Sequence, residues 1–185
     1  MDFSLFFPVN LRKLFPSKTL RNFVLYVTPG IDPRYGEYTF DEICKSVYHQ
    51  MNLEITPKNM SARIATNVGN EKSMLLKLAP LFLKNFVMKL VFNAVGEKKS
   101  TFTLSNLGVV ALPQEMAEHV TRMDFLLSVQ SKAPYNSSII TYGDKMYLNI
   151  IRNIKESVLE RELYATFKEL GIKVVAESNS RTNRR

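Results

Sequence analysis

The spacing of apolar positions along this chain changes from strand type to helix type and back again. Residues Phe3–Val9 form an apolar run, which is typical of a strand with neighbours on both faces. Behind Thr39 the apolar residues recur at helical spacing to about Leu53, and Thr39 with Glu42 has the pattern of a capping box. Cys44 lies on this apolar stripe, so it is predicted to be a core residue.

Two further helices are predicted in the middle of the chain. One follows Thr56-Pro57, where a capping hydroxyl precedes a proline at the first helical position. The other is the apolar stretch around Leu81–Phe92, which contains Lys84 and Lys89. It is short for a membrane span, and a lysine at mid-bilayer costs several kcal/mol. We therefore predict a core helix with outward lysines, and the alternatives are a partner-binding face or a tunnel wall.

Most of the remaining chain has strand character. Glycine and aspartate at 143–144 indicate a tight hairpin turn, and Glu156–Leu170 is an amphipathic helix that ends at Gly171. The sequence thus predicts an α/β (α+β) fold, in which helices pack on a mixed sheet in one compact unit. The predicted strands after the first are Phe23–Val27, Thr101–Leu104, Met123–Gln130, Ser138–Tyr142, Met146–Ile151 and Ile172–Ala176.

Composition and charge narrow the class of protein. The 185 residues, of which 45% are hydrophobic, suit one globular domain over residues 1–178, with a basic and flexible tail at 179–185. A single cysteine and the lack of a secretory leader before Phe3 favour a cytoplasmic setting. The net charge is +8, but the lysines and arginines are scattered, so a nucleic-acid partner is disfavoured. A basic surface would equally suit an anionic substrate such as a coenzyme A thioester.

Residues for acid–base catalysis are scarce in this sequence. The two histidines are His49 and His119, and both are predicted to lie on the surface. Asp124 follows His119 one position too late for a His-x-x-x-Asp arrangement. We find no metal-ligand cluster, glycine-rich phosphate loop or nucleophile elbow. Taken alone, the chain lacks a credible acid–base centre.

Three segments nonetheless resemble one known superfamily when they are taken together and in order. They are Pro8-Val9-Asn10-Leu11-Arg12, Thr19-Leu20-Arg21-Asn22-Phe23, and Thr103-Leu104-Ser105-Asn106-Leu107-Gly108 with Leu112-Pro113. This set resembles the C-terminal half of the chloramphenicol acetyltransferase-like superfamily, which includes condensation domains. The most similar branch is that of the bacterial alcohol acetyltransferase-like proteins.

The resemblance implies a fold and an activity. Members of the superfamily pair two similar α/β halves around a tunnel, and the catalytic His-x-x-x-Asp lies in the first half. This chain would then be the second half of an acyl-CoA-dependent O-acyltransferase that acts on an alcohol, and it would be inactive alone. Acyl-CoA would be the co-substrate, with no further cofactor and no metal. The expected partner is the N-terminal half, or a second copy in a homodimer.

The resemblance also assigns roles to residues, and each role has a structural alternative. Arg12 would hold the aspartate of the missing motif, or it is a surface arginine at a strand end. Asn22 would border the tunnel, or its side chain binds local backbone in a turn. Ser105 would donate a hydrogen bond to the reaction's oxyanion, with Asn106 and Gly108 as substrate-binding residues beside it, or Ser105 and Asn106 form a strand-end bulge capped by Gly108. The plant pattern Asp-Phe-Gly-Trp-Gly is missing here, which puts plant-like coenzyme A contacts in doubt.

Two other functions remain open at this point. The first is a non-catalytic interaction or dimerisation module that uses the exposed tunnel face, around Phe6, Phe7 and the helix at Leu81–Phe92. The second is half of a condensation-type domain, which would take its substrate from a carrier protein rather than from coenzyme A.

Overall fold

The computed structural model describes residues 3–71, 80–91, 101–130 and 133–179. The chain divides into two compact units, Met1–Asn153 and Ile154–Arg185. The strands of the described residues are β1 (Phe3–Asn10), β2 (Val24–Val27), β3 (Gly30–Ile31), β4 (Phe102–Val110), β5 (Tyr135–Tyr142) and β6 (Lys145–Arg152). The helices are α1 (Phe40–Glu54), α2 (Pro57–Glu71), α3 (Leu81–Val91), α4 (Gln114–Ala117) and α5 (Val158–Glu169).

The strands of the first unit form one mixed sheet, which confirms the predicted α/β class. Their order is β2-β1-β4-β5-β6, and β3 also pairs with β1. The β1–β4 and β4–β5 pairs are parallel, while the other pairs are antiparallel. The apolar strand β1 therefore has neighbours on both sides, β2 on one and β4 on the other. A parallel pair cannot be closed by a tight turn, so the chain makes long crossovers between these strands.

The core beneath the sheet is formed by β1 and the turn that follows it, β2 and α2. Its buried side chains are Val9, Leu11, Val27 and Met60, and Ile64 packs against them. The helical spacing of Met60, Ile64 and Val68 predicts that these three residues form the buried side of α2. Met60 has no exposed surface and Ile64 packs against the core, but Val68 is 39% exposed. This helix begins as predicted, because the Thr56 hydroxyl accepts a hydrogen bond from the N–H of Asn59 at 3.2 Å.

Helix α1 has the predicted capping box. The Thr39 N–H donates to the Glu42 carboxylate at 2.8 Å, and the Glu42 N–H donates to the Thr39 hydroxyl at 3.3 Å. The first of these bonds, together with the bond from the Thr39 hydroxyl, holds the pKa of Glu42 below its ordinary value of 4.5. The prediction that Cys44 is a core residue is wrong, because Cys44 is exposed; no residue of α1 is fully buried.

A glutamine fastens α1 to the short strand β3. The Gln50 side chain accepts from the Gly30 N–H at 2.9 Å and donates to the Gly30 carbonyl at 2.8 Å. Gly30 is required here for a second reason. A Cβ atom on this residue would lie 2.5 Å from the carbonyl oxygen of Phe3 on β1, a distance that real Cβ atoms do not show.

Strands β5 and β6 form the predicted hairpin, in which Gly143 adopts a φ of 62°. The N–H of Asn153 donates to the Pro134 carbonyl at 3.1 Å just beyond the strands. Because hydrogen-bonded pairs alternate along antiparallel strands, the odd-numbered residues of β6 direct their backbone groups toward β5. The even-numbered residues direct theirs outward. β6 is thus an edge strand of the described sheet.

Helix α3 does not lie in the core. Its large apolar side chains are between 41% and 76% exposed, so the predicted core helix is wrong within the described residues. Helical spacing specifies an apolar face, but it does not specify what covers that face. The last residue of the predicted helix, Phe92, lies outside the described residues. Within those residues, no helix is both long enough and apolar enough to cross a bilayer.

Two predicted strands have no regular structure. Residues 123–130 run without a strand beside the sheet, and residues 172–176 after α5 are also irregular. The second unit does show the predicted end of its helix: Gly171 has a φ of 73°, and the N–H of Ile172 donates to the Phe167 carbonyl at 2.9 Å. Of the predicted tail at 179–185, residues 180–185 lie outside the described residues.

Candidate functional site

A bulge between Asn106 and Val109 interrupts β4. The pairing of this strand with β5 shifts register at that point. The Asn106 side-chain oxygen accepts a hydrogen bond from the Gly108 N–H at 2.8 Å, and Gly108 has a φ of 81°. This left-handed conformation favours glycine over residues with a Cβ atom. The structural alternative for Asn106 and Gly108 is therefore present in the fold.

Ser105 lies just before the bulge and has a different environment. It is half-buried and pairs with Ser138 of β5. Its hydroxyl makes no hydrogen bond with any described residue. Asn106 satisfies the backbone of the bulge, so the bulge does not require the hydroxyl of Ser105.

A patch of polar side chains surrounds Ser105 on one face of the sheet. Thr103 precedes it by two residues and therefore shares its face, while Asn136 and Ser138 are the residues of β5 that pair with Thr103 and Ser105. Three members of this patch are almost wholly buried: Thr103, Asn136 and Ser138. Polar residues so deep in a sheet require hydrogen-bond partners.

Only some of the polar atoms in this patch have a hydrogen-bond partner among the described residues. The Ser138 hydroxyl donates to the Phe125 carbonyl, and the Asn136 amide donates to the Ser128 carbonyl at 3.1 Å. These bonds hold the irregular segment 123–130 beside the sheet. The Thr103 hydroxyl oxygen and the Asn136 side-chain oxygen have no partner among the described residues. Neither residue was singled out from the sequence, where the only signal was polar residues at alternate positions of two strands.

Arg12 lies beyond the end of β1 and binds backbone rather than a carboxylate. Its Nη2 donates to the carbonyls of Thr19 at 2.9 Å and Arg21 at 2.5 Å, which closes the loop between β1 and β2. The side-chain oxygen of Asn10 accepts from the Arg12 N–H at 3.1 Å and fixes the turn. Within the described residues Nε and Nη1 make no hydrogen bond. Three of the five N–H donors of the guanidinium are thus unused.

The structure brings the predicted residues to one end of the sheet without joining them in a single cluster. Phe6 of β1 is level with Thr103 of β4, so Ser105 is level with Pro8. Arg12 lies four residues beyond that level, in the same direction, because β1 and β4 are parallel. Asn22 lies in the loop that Arg12 closes; it is exposed, and its side chain makes no hydrogen bond with a described residue.

Neither histidine belongs to this site. His49 and His119 are both exposed, which confirms the prediction that they lie on the surface. Asp124 pairs instead with Arg122 at 2.6 Å, and this bond lowers the pKa of its carboxyl group. The residues that the structure describes contain no group of three or more metal-ligating side chains.

No family model, no curated protein and no solved structure matches this chain. Its function is therefore argued from its own residues and their geometry.

Proposed function

We propose that this chain is the C-terminal half of an acyl-CoA-dependent O-acyltransferase of the alcohol acetyltransferase type. The observation that carries the proposal is the half-buried Ser105 hydroxyl, which has no partner among the described residues. It shares a face with two buried oxygens, on Thr103 and Asn136, that also lack partners. Polar groups in such positions cost free energy unless water or a ligand satisfies them.

Arg12 supports the proposal through its unused donors. A guanidinium is a preferred partner of a carboxylate, because its N–H groups match the two oxygens. Nη2 already positions the loop before Asn22, while Nε and Nη1 remain available. The companion half of such an enzyme would supply the aspartate of a His-x-x-x-Asp motif to these donors. Arg12 is then a positioning residue, not a catalytic one.

In this reaction the histidine of the companion half accepts the proton of the acceptor hydroxyl. The acceptor oxygen attacks the thioester carbonyl, an ester bond forms, and the bond from carbon to sulfur breaks. The thiolate of coenzyme A leaves and receives the proton from the histidine. The Ser105 hydroxyl donates a hydrogen bond to the oxyanion that develops on the carbonyl oxygen, a contribution of about 3 kcal/mol when the donor is positioned in advance.

The proposal is tested by equilibrium binding of acetyl-CoA to the purified chain. We expect the wild type to bind and Ser105→Ala to bind about fivefold more weakly, the effect of one lost hydrogen bond. Ser157→Ala is the matched control, because Ser157 is an exposed serine of the second unit. No free thiol should be released when an alcohol is added.

Other results would contradict the proposal. Binding of an acetylated carrier protein in place of acetyl-CoA would indicate a condensation-type domain. Binding of neither ligand would refute the acyltransferase assignment. So would turnover by the isolated chain that is lost in His119→Ala, since that would place the catalytic base in this chain.

One observation favours a second candidate function, a dimerisation module. β6 is an edge strand, and the outward backbone groups of Met146, Leu148 and Ile150 make no hydrogen bond with a described residue. An open edge of this length pairs readily with another strand. A second copy fits it in antiparallel register about Asn149, with Leu148 of one copy opposite Ile150 of the other. This register places no two like charges opposite each other.

Proline substitutions distinguish the backbone groups of β6 that point outward from those that pair with β5. The N–H of Leu148 points outward, so Leu148→Pro should abolish self-association and keep the hairpin. The N–H of Tyr147 points to β5, so Tyr147→Pro, the matched control, should destabilise the sheet itself. The measurement is light scattering at several protein concentrations, with circular dichroism to follow folding. A wild-type chain that stays monomeric at all concentrations would rule out this second function.

A further inference from the structure

Helix α3 has two distinct sides. At 100° per residue, Lys84, Asn85 and Lys89 lie on one arc of the helix, which also carries Leu81, and an uninterrupted apolar arc lies opposite. The apolar arc is not covered by the described protein, because its side chains are 41% to 76% exposed. The exposed members of the arc are Phe82, Leu83, Phe86, Val87 and Leu90.

Exposure on this scale is unfavourable in water. Burial of each of these side chains lowers the free energy in proportion to the apolar area that is removed from solvent. Single exposed apolar residues are common on protein surfaces, whereas a large contiguous apolar patch marks a binding surface. The arc on α3 is continuous over three turns, so it has the form of a docking face.

Charge identifies the occupant of this face. The sequence from 72 to 99 contains six lysines against one glutamate and no aspartate, so this segment carries a local excess of positive charge. Lys84 and Lys89 border the apolar arc of α3 on its two sides. A second copy of the chain would bring the same lysines together and would be repelled. An anionic surface would be attracted.

A lipid surface offers a favourable environment to both the apolar arc and the lysines of the helix. A helix with an apolar arc bordered by lysines lies in the plane of the interface, with its apolar side chains among the acyl chains and its lysines at the headgroups. The 11 residues of α3 are about 16 Å long, roughly half of what a membrane span needs. We propose that α3 docks its Phe86 face on the surface of an anionic phospholipid membrane.

The test is sedimentation of the full chain with sucrose-loaded vesicles. We expect binding to vesicles of phosphatidylcholine with phosphatidylserine and little binding to phosphatidylcholine alone. Phe86→Glu should weaken binding about 30-fold, the value for one buried phenylalanine. Val175→Glu is the matched control, since it makes the same charge change at a residue that is 80% exposed in the second unit. Lys84→Gln and Lys89→Gln should each weaken binding about fivefold, and only on anionic vesicles.

Each contrary outcome would overturn the proposal. A wild-type chain that does not sediment with anionic vesicles excludes a lipid surface. If Phe86→Glu binds as well as the wild type, the attraction is general and does not involve the apolar arc. If Val175→Glu loses as much binding as Phe86→Glu, charge alone is responsible. If the wild type self-associates without vesicles and Phe86→Glu does not, a second copy covers the face. Circular dichroism and urea unfolding of each variant show whether it is folded.

Discussion

Replacement of Met60 by alanine tests whether α2 holds the sheet in place. The Met60 side chain has no exposed surface and packs in the small core with Val9, Leu11 and Val27. Truncation removes buried apolar atoms and leaves a cavity between α2 and the first two strands. Substitutions of this kind cost about 2–5 kcal/mol. Because Met60 is fully buried, we expect a loss within that range.

The assay is urea unfolding followed by circular dichroism, with midpoint and slope fitted separately. Met116→Ala is the matched control: Met116 is 55% exposed on α4, and its truncation should change the free energy of unfolding by less than about 0.5 kcal/mol. A lower midpoint at unchanged slope would report stability alone. If Met60→Ala and Met116→Ala had equal effects, the packing of α2 on the sheet would be refuted.

Three further predictions concern two glycines of the sheet and the cap of α1. Gly30→Ala should lower the urea midpoint by the equivalent of about 1–3 kcal/mol, because its Cβ would meet the carbonyl of Phe3 at 2.5 Å. Gly108→Ala should cost about 1 kcal/mol by the same assay, since a φ of 81° disfavours a residue with a Cβ atom. The pKa of Glu42 is lowered in the folded state, so its stabilisation is complete above the ordinary value of 4.5 and is lost as the pH falls through the lowered pKa. Melting temperatures of Glu42→Gln should therefore depend less on pH than those of the wild type across that window, and parallel profiles would contradict the capping role.

Local chemistry made several elements predictable from the sequence. The capping box of Thr39 and Glu42 and the tight turn at Gly143 involve residues only a few positions apart, so their geometry is set by the local chain. The interior position of β1 followed from an apolar run in which Ser4 is the one polar residue. Ser105 is indicated by the resemblance of its segment, and its role stays a prediction; the polar patch around it was not predicted.

Long-range pairing could not be predicted in the same way. Residues 123–130 have strand composition, but the structure satisfies them through side chains of β5, as with Asn136 and Ser138, instead of a backbone ladder. The predictions that Cys44 and α3 are buried in the core were wrong for a related reason. Periodicity shows which residues of a helix share a face, whereas burial depends on what the rest of the chain places against that face. The same holds for Thr103, whose partner strand is distant in sequence.

The β6 edge and the apolar face of α3 would bind their partners through different forces. The salt dependence of binding distinguishes the two surfaces experimentally. The β6 edge offers backbone donors and acceptors, whose pairing depends little on ionic strength. Docking of α3 depends on Lys84 and Lys89, and screening at high salt weakens it. Raising the salt concentration should therefore release the chain from anionic vesicles and leave self-association in place. Leu148→Pro should remove self-association without changing vesicle binding, and Phe86→Glu should have the opposite effect. A single substitution that removed both would mean that one surface serves both, and it would refute the separate assignment of the edge and the helix.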